Sequence, residues 1–182
     1  MLNRRQWLGR LAALGGSGVL AGAVPSIFQS TLAAGPAALF EAVKADLAAM
    51  TGRLEYQGER SDLAAAKKLF GNALILSLSA AMADVLTLAK ASDVPGLDAI
   101  KLMELLDLNG MVAMRGANMA RGDFTPSFEL AMARKDVKLM LETAAGRPLA
   151  SLPGIAARMD QLLAAGHGAD DVSVIGIDAL QG

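Results

Sequence analysis

From Ser61 to Ala91 the chain contains no proline, and its apolar residues fall on nearly every side of the helix that such a run dictates. Leu69, Phe70, Leu74, Ile75, Leu76, Leu78, Met82, Val85, Leu86 and Leu88 leave no wide polar face. A helix apolar all round has to be covered, by a core, by an interface or by lipid. Asn72, Asp84 and the Lys67-Lys68 pair argue against lipid, because amide and charged groups are costly inside a bilayer. The run therefore predicts a central helix buried by its neighbours and by a second subunit. Ser61 is the expected N-cap, with Asp62 favourable in the first turn.

Beyond Ala91 the chain is again helical. Pro95 stands where a helix can start, and Leu97, Ile100, Leu102, Met103 and Leu106 carry it to Leu108, where Gly110 breaks it. Met111 to Arg121 reads as a further short helix, and Gly122-Asp123-Phe124-Thr125-Pro126 as a turn. Ser127 is placed to cap a helix to about Ala145, ended by Gly146-Arg147-Pro148. Ser151 with Pro153 opens another that stops near Gly166, and Ala169 to Leu180 closes the chain. Plentiful Ala, Leu and Met with few aromatics agree with packed helices. The expected class is all-α, a helical bundle around one long buried helix.

Upstream, Ala37 to Met50 has helical spacing at Leu39, Phe40, Val43 and Leu47. Only Arg53 to Gln57 alternates as a strand does, and a lone strand leaves its backbone unpaired unless it joins another. That helix and strand look like the end of something larger.

The first 33 residues carry Arg4, Arg5 and Arg10 and no acid. The remainder holds all 18 acidic residues and 14 of the 17 basic ones, a formal charge of 14 − 18 = −4. With no basic stripe or aromatic interleaving, nucleic-acid binding is not expected. Without cysteine, and with His167 alone, disulfides, thiolate or multi-histidine metal sites and a cysteine nucleophile are excluded, and a Ser/His triad is not expected. Asn3-Arg4-Arg5-Gln6-Trp7-Leu8 resembles the twin-arginine export signal, and an apolar, glycine-rich stretch runs from Leu11 to Phe28. Thr31-Leu32-Ala33 offers small residues to a signal peptidase, so residues 1–33 read as a signal segment cut before Ala34. The expected location is the periplasm, or the cytoplasm if that segment is no signal. Contact with a membrane is expected only through it. Gly16-Ser17-Gly18 with Gly22 mimics a dinucleotide loop but lacks the preceding strand and the later acidic residue that such a loop needs.

Three stretches, in order, carry a resemblance. Ala65-Ala66-Lys67-Lys68-Leu69-Phe70-Gly71-Asn72 sets a lysine four residues before an asparagine. Arg121-Gly122-Asp123-Phe124-Thr125-Pro126-Ser127-Phe128 and Ala133-Arg134-Lys135-Asp136-Val137 come next, and Gly168-Ala169-Asp170-Asp171-Val172 opens the last helix. In this order and spacing, residues 58–182 resemble the C-terminal helical domain of the 3-hydroxyisobutyrate dehydrogenase and 6-phosphogluconate dehydrogenase-like family.

The resemblance implies an NAD- or NADP-dependent oxidoreductase half acting on a small hydroxy or keto acid. It implies Lys68 as the catalytic acid/base, Asn72 as a substrate ligand, and Lys135 as a contact for substrate or cofactor. One helical turn separates Lys68 from Asn72, so both face one way. Residues 34–57 become the last helix and strand of a Rossmann domain otherwise missing. The partners expected are a second copy of the chain and a separate nucleotide-binding chain. Two departures stand out. Asp62 and Ala64 occupy positions where the family has glycines, and Gly71 replaces the first of two asparagines. Such a half is expected to be inactive alone. The alternatives are an exported, non-catalytic binding or dimerisation protein, or a gene fragment.

Overall fold

A computed structural model describes residues 31–51 and 53–180. The twin-arginine motif and the Gly16-Gly22 stretch lie outside them. The described chain forms two compact units that divide between Ile75 and Leu76.

The first unit opens with β1 (Thr31–Ala33), α1 (Ala37–Thr51) and β2 (Leu54–Tyr56). The strands are parallel, with Thr31 opposite Leu54 and Ala33 opposite Tyr56. Parallel neighbours need a crossover, and α1 is that crossover, so residues 31–56 are a βαβ unit. This corrects the expectation of one unpaired strand: the partner lies in the chain, within the residues read as the end of a signal. Three residues give no period-2 pattern to see. The Thr31 N–H donates to Arg53 O at 2.8 Å, Gln57 N–H to Ala33 O at 2.8 Å, and Gly35 N–H to Gly58 O at 3.0 Å. Phe40 and Leu47 of α1 are buried, and the Phe40 ring stacks on Tyr56 with centroids 4.5 Å apart. The Tyr56 hydroxyl donates to Gly35 O at 2.7 Å.

The long helix, α2 (Leu63–Ala91), begins two residues later than Ser61 suggests. Asp62 O accepts from Ala66 N–H, while the Asp62 carboxylate is gripped by Arg60. Its length is as expected, but one chain does not bury it. Leu69, Phe70, Leu74 and Leu76 are 66%, 67%, 56% and 70% exposed, and only Ala64, Asp84 and Ala89 are buried. Among the described residues it is the one helix long and apolar enough to cross a membrane, with a mean hydropathy of 1.7 in its most apolar stretch.

In the second unit α3 (Gly96–Ile100) passes into a 3-10 turn, Lys101–Leu105, and then comes α4 (Leu108–Arg121). Gly110 does not break a helix. It lies in the first turn of α4, where its N–H donates to the N-cap Asp107 carboxylate at 2.8 Å. The chain is extended at Leu106 instead, which ends the preceding turn. Gly122 closes α4 with φ of 70°, a left-handed cap that suits glycine.

Helices α5 (Leu130–Ala144) and α6 (Leu152–Ala164) and a closing 3-10 segment, Val172–Leu180, form the core of this unit. Leu130, Ala133 and Val137 meet Ala156, Met159 and Leu162, with Val174 fully enclosed. The i, i+3, i+7 spacing of the first three is the apolar stripe of a surface helix. Arg134 forks onto Asp160 at 2.7 and 3.0 Å, tying α5 to α6.

Asp84, deep in α2, is 2% exposed. It accepts hydrogen bonds from Ala150 N–H and from the N–H and hydroxyl of Ser151, and at 2.9 Å from Leu152 N–H. A carboxylate from one helix thus closes the N-terminus of another, where unpaired amides and the helix dipole favour negative charge. Burial pushes its pKa up, but the bonds from Ser151, Leu152 and Ala150 hold it below the ordinary carboxylate value. Ser151, expected to open α6, holds its N-cap position; its hydroxyl serves Asp84, and Asp84 does the capping. Replacing Asp84 by leucine strands buried amides, and the expected loss is about 2–4 kcal/mol of unfolding free energy in a urea titration. A variant as stable as the parent contradicts this anchor.

Candidate functional site

The residues singled out from the sequence divide between the units. Lys68 and Asn72 belong to the first, on the opening turns of α2, and Lys135 belongs to the second, on α5. Lys68 and Asn72 are both half-buried and lie one turn apart on one side of α2. Among the described residues, neither side chain has a hydrogen-bond partner. The neighbouring lysine differs: Lys67 is exposed, and its ammonium donates to the Gln57 side-chain oxygen at 2.7 Å. Of the lysine doublet, Lys67 is therefore tied to the end of β2, and Lys68 is the one left with its ammonium uncommitted.

Asp62 and Ala64, which stand where the family has glycines, have distinct outcomes. Asp62 does not present a bare negative charge, because Arg60 Nε and an Nη sit 2.9 and 2.6 Å from its oxygens. The Arg60 hydrogen bond holds the Asp62 carboxyl below its usual value, and Asp62 raises Arg60 in return. Arg60 is the residue that sequence reading missed; an arginine two positions before an acid was the available signal. Ala64 is buried at the start of α2, so its methyl is packing rather than an open approach to a ligand.

Lys135 is exposed on the side of α5 away from Ala133 and Val137, with its ammonium 3.7 Å from Met132 Sδ. Asp136 is exposed beside it. His167, expected in a surface loop, is half-buried there, with Nδ1 2.7 Å from Asp170.

Asp171 joins two stretches that look independent in the sequence. It is 4% exposed. Its carboxylate accepts from Ser127 N–H and hydroxyl at 3.0 and 2.8 Å, Phe128 N–H at 3.1 Å and Ser173 N–H at 2.9 Å. Backbone bonds from Asp171 N–H to Phe124 O and from Val172 N–H to Phe128 O complete the join. The Gly122–Phe128 turn and the start of the last segment are thus two sides of one latch. Ser127, expected as the cap of α5, belongs to it instead; Glu129 holds the cap position, with no side-chain bond.

Burial pushes the Asp171 pKa up, but bonds from Ser173 and Ser127 outweigh it and hold the carboxyl well below the usual carboxylate range. A carboxyl depressed in the folded state stabilises fully above its unfolded pKa, about 4, and that stability is lost as pH falls toward the folded value. The urea midpoint of the protein is therefore expected to fall between pH 6 and pH 3, and Asp171→Asn is expected to flatten that fall. An unchanged pH slope in the variant contradicts the latch as its source.

The geometry near β1 also tests whether a dinucleotide fits. A pyrophosphate cradle needs several glycines and free amides between strand and helix. Here the turn is Ala34-Gly35-Pro36; Gly35 N–H is spent on Gly58 O, and proline has none to give. This turn does not fit that group.

No protein-family model and no curated protein matches the chain. Solved structures do resemble it. The Streptomyces aurantiacus imine reductase matches at 22% identity with a TM-score of 0.75, over 96% of this chain and 64% of that one. A reductive aminase from Aspergillus terreus, in complex with NADPH and ethyl levulinate, matches at 18% and 0.75, over 96% and 65%. An imine reductase from Myxococcus stipitatus, in complex with NADP+, matches at 20% and 0.72, over 80% and 53%. The chain spans 53% to 65% of the length of these three structures. The fold is therefore the all-α, 6-phosphogluconate dehydrogenase C-terminal-domain-like bundle expected from the sequence. The three named structures are imine reductases and a reductive aminase, and they share this fold at 18–22% identity.

Proposed function

We propose that the chain is the helical, dimerising half of an NAD(P)-dependent reductase, exported by the twin-arginine route and inactive without a nucleotide-binding partner. The observation that carries this is Lys68 with Asn72, one turn apart on α2 and uncommitted among the described residues, within a fold whose named neighbours include nucleotide complexes. A lysine there can hold or release a proton at the heteroatom of a reducible C=O or C=N bond, while the asparagine amide fixes that atom. A small hydroxy or keto acid remains the expected substrate class, and the named neighbours extend it to the corresponding imine. Lys135, exposed and cationic, suits a substrate carboxylate or cofactor phosphate.

A nicotinamide would supply the hydride when bound; the turn after β1 does not cradle its pyrophosphate, so NAD or NADP is proposed to be held largely by residues of another chain. The second copy is proposed to cover the apolar surface of α2. Asp84 supports this over lipid: its carboxylate is engaged by the α6 N-terminus, which places protein rather than acyl chain against that part of α2.

A second reading, an exported non-catalytic dimerisation protein, is favoured by the misfit at Gly35-Pro36. Calorimetric titration with NADPH and NADH, followed by turnover assays with hydroxy acids, keto acids and imines, separates the cases. The chain alone is expected to show neither saturable binding nor turnover. Turnover gained on adding a nucleotide-binding chain, and cut about 100-fold or more in Lys68→Ala, supports the reductase half. Turnover by the chain alone overturns the inactive-half reading, and silence in every mixture favours the non-catalytic one.

A further inference from the structure

The pairing of β1 bears on where an export leader can be removed. The bond between Ala33 and Ala34 looks like a peptidase site in the sequence, but the structure occupies both sides of it. Thr31 is buried, and its N–H is held by Arg53 O. Ala33 O accepts from Gln57 N–H, and Gly35 gives its N–H to Gly58 O and takes the Tyr56 hydroxyl on its own carbonyl. A protease needs the chain around the scissile bond released from its own structure, so cleavage there waits on opening of the β1–β2 pair. Cutting there would also strip β2 of its partner and leave its backbone groups unpaired. A chain that reaches the peptidase folded has β1 already paired with β2.

The sequence offers another place. The basic region ends at Arg10, residues 11–20 open the apolar, glycine-rich stretch, and Ala21-Gly22-Ala23 lies within that stretch, just before Pro25. That order is the leader pattern of a charged region, a short apolar region and small residues at both positions the peptidase reads. Thr31-Leu32-Ala33 has the bulkier threonine at the first of those positions and begins 20 residues past Leu11, farther than a leader's apolar region of about 7–15 residues reaches. We propose that the leader is cut between Ala23 and Val24, upstream of β1, and that the exported protein keeps the whole βαβ unit. This inference rests on the export reading above.

The test is expression of the full chain in a bacterium with a twin-arginine translocase, then fractionation, intact mass and N-terminal sequencing. The expected exported form begins at Val24. In Ala23→Phe the unprocessed chain is expected to accumulate and the mature form to be lost, whereas Thr31→Val, which keeps a β-branched residue in the strand, is processed as the parent is. An exported chain that begins at Ala34, that keeps Met1, or that is processed normally in Ala23→Phe overturns this inference and leaves export standing. A full-length chain that stays in the cytoplasm, with Arg4→Lys and Arg5→Lys changing nothing, overturns the export reading and this inference with it.

Discussion

The apolar surface of α2 is more than one chain covers. Between Leu63 and Ala91 the chain commits 29 residues to a single helix, yet only 6% of its most apolar stretch is buried. Leu69, Phe70, Leu74 and Leu76 stand in the open, each more than half exposed. Burial of a large aliphatic or aromatic side chain stabilises by roughly 1.5–3 kcal/mol, so this surface is a large reserve of binding free energy. Asp84 fixes α2 against the N-terminus of α6, and the leucines of α2 remain open as an exposed apolar face.

The helical character was legible because helices announce themselves by period and caps. The limits of α1 and α2 reflect proline placement and apolar spacing, whereas Asp107 and Gly122 set those of α4. What was not legible were the roles of particular polar groups. Ser61, Ser127 and Ser151 all read as caps, since serine before an apolar run has that local preference. Ser127 and Ser151 instead feed hydrogen bonds to Asp171 and Asp84, residues 44 and 67 positions away. Such pairings depend on the packed fold, and no window of sequence contains both partners. β1 was missed for a related reason: three residues become a strand only when α1 has brought β2 alongside.

The candidate site was half legible. The four-residue step from Lys68 to Asn72 guarantees one face of a helix, and the structure adds that Lys67 is occupied by Gln57 while Lys68 is not. The sequence could not say that Arg60 neutralises Asp62, nor that the turn after β1 has spent its amide on the chain itself. Both facts move the chemistry outward. The described residues hold Lys68 and Asn72 one turn apart and form a structural latch at Asp171. The imine reductases and reductive aminases that share the fold are longer than this chain, which here corresponds to about half to two thirds of each.

The exposed face of α2 is proposed as an interface between two copies of the chain, and the rest of the functional reading stands on that. Sedimentation equilibrium of the purified protein over a range of concentrations, without detergent, tests it most directly, with Leu74→Glu and Leu76→Glu as the paired variants. The expected result is twice the mass of one chain for the parent and a folded species of single-chain mass for the variants, their helical circular dichroism retained. A parent of single-chain mass at every concentration, or one kept in solution only by detergent, would contradict it.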